Sequence, residues 1–145
     1  MTMPDQKSLQ QIFAELPVPL CMVNVPDISI TGISIDSRAV KPGHLFVAMK
    51  GGNVDAHDYI PKAIENGAVA LVGDRDVEQV GRTSIPNGDR LGVPYIQLRD
   101  PRRALTWIAA AFYNWPGRKL TVIGVTGTDG KTTTANLIYR ILLAA

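Results

Sequence analysis

With 46% hydrophobic and 19% charged side chains over 145 residues, this chain has the composition of an ordinary globular protein able to bury a core. A net charge of +2 without a Lys/Arg cluster gives no electrostatic footprint for nucleic acid, and no run of about 18 apolar residues offers a membrane span. The single cysteine, Cys21 between Leu20 and Met22, excludes an intramolecular disulfide and a cysteine metal cluster, and it reads as an inert packed thiol.

From the N-terminus, the stretch from Met1 to Lys7 has no apolar signal core, so the cytoplasm is the expected compartment. Leu9, Ile12, Phe13 and Leu16 then share one face of a short helix that Ser8 can cap and that Pro17 and Pro19 end. Residues 28–35 alternate as a strand with an irregularity at Gly32, and 45–49 form a second apolar strand. A helix is predicted over 58–66, with Ile60, Ala63 and Ile64 on one face and Gly67 as its stop, followed by a strand at 68–72. Between Gly73 and Pro94 the chain is polar and reads as a long loop, after which 95–98 restore a strand.

Asp100 and Pro101 start a helix whose stripe Leu105, Ile108, Ala109, Phe112 and Tyr113 is expected to face a core, with Trp107 as packing and Arg102-Arg103 as a solvated face. Trp115-Pro116-Gly117-Arg118 reads as a linker, which puts a domain boundary near residue 117. After it, β-branched and apolar residues predict a strand at 120–126, then a glycine loop, then a helix carrying Leu137, Ile138, Ile141 and Leu142. The expected class is therefore α/β: a small mixed α/β domain over 1–117, then the first strand, phosphate loop and helix of a P-loop ATP-binding domain over 118–145. A parallel sheet needs further strands, so only the beginning of the second domain is expected in this chain.

The loop Gly124-Val125-Thr126-Gly127-Thr128-Asp129-Gly130-Lys131-Thr132-Thr133 carries the clearest chemistry. Gly127 and Gly130 can take backbone angles closed to other residues, so that successive N–H groups surround phosphate oxygens at a positive helix end. Lys131 would reach the terminal phosphates of ATP, and the Thr132 hydroxyl would ligate the accompanying Mg2+. The loop is a shortened form of the general pattern, with Val125 where the first glycine would stand; a ligand-free turn would explain the glycines but not the Lys-Thr pair.

A second constellation is Asp36-Ser37-Arg38 at the end of an apolar strand, which either presents polar groups to a ligand or forms an N-capped turn with an Asp36–Arg38 ion pair. The loop from Lys50 to Asp58 joins glycines to Asn53, Asp55 and His57 and could grip a polar ligand. His57 by itself reads as a satisfied cap residue, and neither His44 nor His57 has metal-ligand spacing.

Together with Pro42-Gly43-His44-Leu45-Phe46-Val47-Ala48 and Asp55-Ala56-His57 followed by Tyr59-Ile60, these motifs resemble the Mur ligase family over nearly the whole chain, most closely its MurE branch. The resemblance implies ATP-dependent amide formation through an acyl phosphate, adding the third amino acid to UDP-N-acetylmuramoyl-L-alanyl-D-glutamate in peptidoglycan synthesis. It implies ATP and Mg2+ as cofactors, and the UDP-linked dipeptide and an amino acid as substrates. Ile35 and Ser37 fall where such ligases hold the uridine diphosphate, with Gly52, Asn53 and Val54 in a loop that also contacts it. Gly127, Thr128, Asp129, Gly130, Lys131, Thr132 and Thr133 match the ATP loop, with Lys131 in a catalytic role and Thr132 on the metal.

His44 stands where the family usually has an acidic residue, and Asp129 where it usually has asparagine; a carboxylate beside triphosphate weighs on affinity more than on fold. The remaining metal ligands and the amino-acid pocket belong, by resemblance, after Ala145, so the chain alone is expected to form no product. The MurF branch shares the Asp-Ser-Arg and Pro-Gly-x-Leu-Phe patterns, while Thr128-Asp129 tilts the reading toward MurE. Two other readings are a non-catalytic UDP-sugar-binding module and an unrelated phosphate-loop kinase or ATPase.

Overall fold

The computed structural model describes residues 6–16, 25–52, 54–76, 78–80 and 92–144; Cys21 and Asn53 lie outside them. Contacts divide the chain into two units, Met1–Trp115 and Pro116–Ala145.

The first unit is built on two strands with almost no polar interruption, β4 (His44–Val47) and β5 (Ala70–Gly73), the latter buried at every position. Such runs are the mark of parallel strands covered on both faces. With β3 (Gly32–Ser34) and β6 (Tyr95–Gln97) they form a parallel sheet in chain order, registered Gly32↔His44, Leu45↔Ala70 and Leu71↔Tyr95. Leu45, Val47, Ala70, Val72 and Ile96 pack on one side with α1 (Leu9–Ala14) and α3 (Pro101–Phe112). Phe46 and Leu71 pack on the other side with Ile60 and Ala63 of α2 (Ile60–Glu65). Each fully buried aliphatic side chain is worth about 1.5–3 kcal/mol, so these two clusters carry the unit's stability.

The expected strand over 28–35 is instead two strands in two sheets. β2 (Ser29–Ile30) pairs antiparallel with β1 (Lys7–Ser8), while β3 joins the parallel sheet. Alternation marks extended chain but names no partner, and the switch falls at Thr31, whose N–H donates to Gly43 O at 2.9 Å. Gly32 is needed there because the His44 ring lies across it: a Cβ would stand 2.7 Å from Nε2.

The helices start and stop where their caps dictate. Ser8 Oγ accepts from Gln10 N–H at 3.2 Å and Asp100 Oδ1 from Arg103 N–H at 2.9 Å. The predicted helix at 58–66 begins as a 3-10 turn, Ala56–Tyr59, before α2, and α2 ends at Gly67 with φ +99°. The buried stripe of α3 is Pro101, Ala104, Ile108, Ala111 and Phe112; of the predicted set Ile108 and Phe112 are buried and Leu105 packs against the core, while Ala109 is only partly buried. Small alanines let the helix approach the sheet, and Tyr113 lies past the helix end, 40% exposed. Lys7 Nζ donates to Ala111 O at 2.8 Å, which places its charge at the negative end of α3. Trp107 packs on Trp115 with ring centroids 5.9 Å apart, and Trp115 Nε1 donates to Glu15 at 2.7 Å.

In the second unit, α4 (Lys131–Ala144) forms as expected. The predicted strand does not: residues 121–127 have no regular structure, and Val122 is 78% exposed. A helix satisfies its own backbone, whereas a strand exists only against a neighbour, and among the described residues none pairs with this segment.

Gly67 tests how tightly the α2–β5 connection is specified. Its φ is positive, and a Cβ there would stand 2.7 Å from Pro42 Cα, which leaves no room for a side chain. Gly67→Ala is expected to lower the unfolding free energy by about 1–3 kcal/mol, measured as a shift in urea midpoint with unchanged slope.

Candidate functional site

The loops that leave the carboxyl ends of β3 and β4 enclose a cleft of about 650 Å³. Ile35, Ser37 and Val54 line it, with Phe46, Met49 and Ala56 adding apolar surface and Arg38, Tyr59 and Lys62 adding polar and aromatic groups. Ile35 and Val54 are more than half exposed, so their side chains are open to a ligand, whereas Ser37 is buried. Gly51 N–H donates to Val54 O at 2.8 Å and Ala56 N–H to Met49 O at 3.1 Å, which brings Gly51 and Val54 together beside the end of β4. Gly52 is exposed on that loop without lining the cleft, and Asn53 lies outside the described residues.

Asp36 and Arg38 adopt the N-capped turn. Asp36 Oδ1 accepts from the Arg38 N–H at 2.9 Å and from Nε at 3.0 Å, while Nη2 reaches Oδ2 at 2.8 Å. These bonds hold the Asp36 carboxyl down at about 2, below its ordinary 3.8. The turn fixes Ser37, whose carbonyl accepts from Asn66 Nδ2 at 2.8 Å. Arg38, Tyr59 and Lys62 were not assigned as site residues from sequence. Tyr59 carried a signal that could have found it, an aromatic two residues after the Asp55-Ala56-His57 motif beside the glycine loop, and in the structure it is 48% exposed.

His57, read from sequence as a cap residue, is completely buried. Its backbone N–H does donate to the capping Asp55 Oδ1 at 3.0 Å, but its ring also stands 2.6 Å from the same oxygen and 3.2 Å from Asp74 Oδ1. Burial raises the Asp55 carboxyl, yet the His57 hydrogen bonds and the Arg75 charge outweigh it and the net shift is downward. Tyr95, half-buried and facing Asp74, has its hydroxyl pushed well up, and it donates to Arg75 O at 3.0 Å. His44 is lowered by burial and by Lys41. Among the described residues no cluster of histidine, cysteine and carboxylates could hold a metal by itself.

The second unit carries the glycine loop. Gly127 and Gly130 have φ of +152° and +74°, angles that leave the loop to glycine. Thr134 N–H donates to Gly130 O at 2.9 Å, so the N–H groups of Lys131, Thr132 and Thr133 sit in the first turn, ahead of the helix ladder. Lys131 Nζ folds back onto Gly127 O and Thr128 O. Thr128, Asp129 and Thr132 are exposed. First-turn N–H groups with a cationic side chain beside them are chemistry that suits an anion, and the Thr132 hydroxyl could serve Mg2+ whose other ligands come from phosphate and water.

The Asp36–Arg38 pair makes a pH prediction. Since the folded carboxyl titrates near 2 rather than 3.8, what the pair contributes is complete above 3.8 and is lost as pH falls through 2. Arg38→Met is expected to return the Asp36 midpoint toward the ordinary value, read by carboxyl carbon NMR titration.

The Mur ligase family model (Mur ligase family, catalytic domain) matches residues 29–113. The 2,6-diaminopimelate ligase of Bacteroides fragilis, named for UDP-N-acetylmuramoyl-L-alanyl-D-glutamate, is 45% identical over 122 residues, 84% of this chain and 23% of that protein. A UDP-N-acetylmuramyl-tripeptide synthetase from Roseiflexus sp. is 45% identical over 130 residues, 89% of this chain and 23% of its own length. The chain thus spans less than a quarter of the length of these curated relatives. Among solved structures, the UDP-N-acetylmuramoylalanyl-D-glutamyl-2,6-diaminopimelate--D-alanyl-D-alanyl ligase of Acinetobacter baumannii superposes with a TM-score of 0.62 at 26% identity, covering 92% of this chain and 27% of that one. MurF from the same organism, at 22% identity and a TM-score of 0.55 over 76% of this chain and 21% of its own, shares the fold. With the family model matching more than half of its residues, the chain belongs to the Mur ligase family.

Proposed function

We propose that residues 1–117 bind the UDP end of a peptidoglycan precursor and that 118–145 begin the ATP-binding domain of a cytoplasmic amide-forming ligase. The observation that carries this reading is the shared cleft: Ile35, Ser37 and Val54, separated in sequence, line one apolar hollow at the ends of parallel strands. Its size suits a nucleoside diphosphate, the exposed Ile35, Val54 and Tyr59 offer surfaces for a base, and Arg38 and Lys62 offer cations for phosphate.

In the proposed reaction a substrate carboxylate oxygen attacks the γ-phosphorus of ATP, ADP leaves, and an amine then displaces phosphate from the acyl carbon. Lys131, freed from Gly127 O and Thr128 O, would balance charge on the transferring group, and the first-turn N–H groups of α4 would orient it. Thr132 would hold Mg2+, which when bound supplies further charge neutralisation. The acceptor is the third amino acid of the peptide. The name of the Bacteroides fragilis relative makes 2,6-diaminopimelate the first acceptor to test. A MurF-type ligase is the second reading, supported by the structural likeness at 26% identity against 45% for the sequence relatives.

Calorimetry with the chain should give a heat of binding for UDP-N-acetylmuramoyl-L-alanyl-D-glutamate and, separately, for ATP with Mg2+. Ile35→Asp and Val54→Asp, at exposed positions, are expected to weaken the UDP compound by about tenfold or more without changing Tm. A response to ATP with none to the UDP compound would sink the assignment of residues 1–117 to the UDP precursor.

A further inference from the structure

The cleft wall that carries Val54, Ala56 and Tyr59 is tied to the sheet by a charge cluster that no cleft contact uses. His57 is at its centre with no exposed surface. One ring nitrogen, Nδ1, lies 2.6 Å from Asp55 Oδ1, and the other, Nε2, lies 3.2 Å from Asp74 Oδ1, on the residue that follows β5. Arg75 Nη2 closes on the second Asp55 oxygen at 2.7 Å, Arg75 Nη1 reaches Asp58 at 3.2 Å, and the Tyr95 hydroxyl donates to Arg75 O. The backbone is cut away to admit the ring, since a Cβ at Gly73 would overlap both His57 Nε2 and the Tyr95 hydroxyl.

Asp55 is the hub of the cluster: its Oδ1 lies against the His57 ring and its Oδ2 against Arg75, whose other arm reaches Asp58, so the 55–58 turn is tied to the residues that follow β5. The second ring nitrogen lies close to Asp74 without a hydrogen bond to it. Because the ring and Asp55 are the buried members, removing a partner from them is costly.

We propose that His57 is a positioning residue whose buried ring, seated between Asp55 and Asp74 beside Arg75, pins the cleft wall to the end of β5 and so sets the width of the ligand cleft. The ligand's identity rests on the function proposed above; the clamp rests on the geometry alone. Because the wall is preorganised, the ligand need not order it on binding.

The test uses the whole chain. Asp74→Asn keeps an acceptor on a side chain that is 40% exposed, so the fold should survive. In it, amide exchange over residues 54–59 is expected to rise about tenfold relative to β4, and affinity for UDP to fall by a similar factor at temperatures where the variant is fully folded. Asp74→Glu, which keeps the charge, should recover part of both. Unchanged exchange and unchanged UDP affinity in Asp74→Asn overturn the clamp. Failure of the unmodified chain to bind UDP would instead count against the proposed function, leaving the exchange to decide the clamp.

Discussion

Backbone pairing along a parallel sheet is the constraint on which the first unit depends. A parallel strand must be bonded on its edges and covered on both faces, and β4 and β5 meet both conditions through neighbours that lie far away in sequence. Covering the faces requires α1 and α3 on one side and α2 on the other, which forces each connection to cross from one end of the sheet to the other. The loops at the carboxyl ends of β3 and β4 are thereby gathered at one edge. The cleft is a consequence of that gathering, since Ile35 and Ser37 follow β3 while Met49 and Val54 follow β4.

Two polar clusters shape these loops, and their burial makes them different in kind. Asp36 and Arg38 are exposed neighbours in sequence, and their bonds set the local course of a turn while water screens their charges. Asp55, His57, Asp74 and Arg75 join two loops and enclose a fully buried ring. Removing one partner there leaves others desolvated and unpaired, which makes the second cluster a determinant of loop position. The same reasoning explains the glycines that matter most. Gly32 and Gly73 are where histidine rings press against backbone, not where flexibility is required.

Much of this was legible from sequence wherever the controlling interaction is local. Ser8 and Asp100 cap helices, Gly67 ends one, and the helix of Lys131–Ala144 follows its glycine loop. The Asp36–Arg38 turn was one of two readings open from spacing, and the structure realises it. The Asp-Ser-Arg, Pro-Gly-His-Leu-Phe-Val-Ala and glycine-loop motifs were enough to place the family, which the match over residues 29–113 supports independently. His57 was misjudged because its burial depends on Asp74 and Gly73, which approach it only through the fold. The stripe of α3 was legible at Ile108 and Phe112 with Leu105 at its margin, whereas Pro101, Ala104 and Ala111 were missed because small or cap-side residues carry little hydrophobic signal.

By itself, then, the sequence determined the α/β class, the helices with their caps, and the glycine loop of Gly127 and Gly130 that leads into the helix at Lys131. These are properties of residues within a turn or two of each other, where hydrogen bonds close locally. Tertiary structure alone decided which extended segments became strands. Residues 28–35 divided between two sheets, and 121–127 formed no strand, because a strand's bonds belong equally to a neighbour. It also decided that Ile35, Ser37 and Val54 should share a cleft and that His57 should lie between two carboxylates, since only the packed sheet brings those residues within reach.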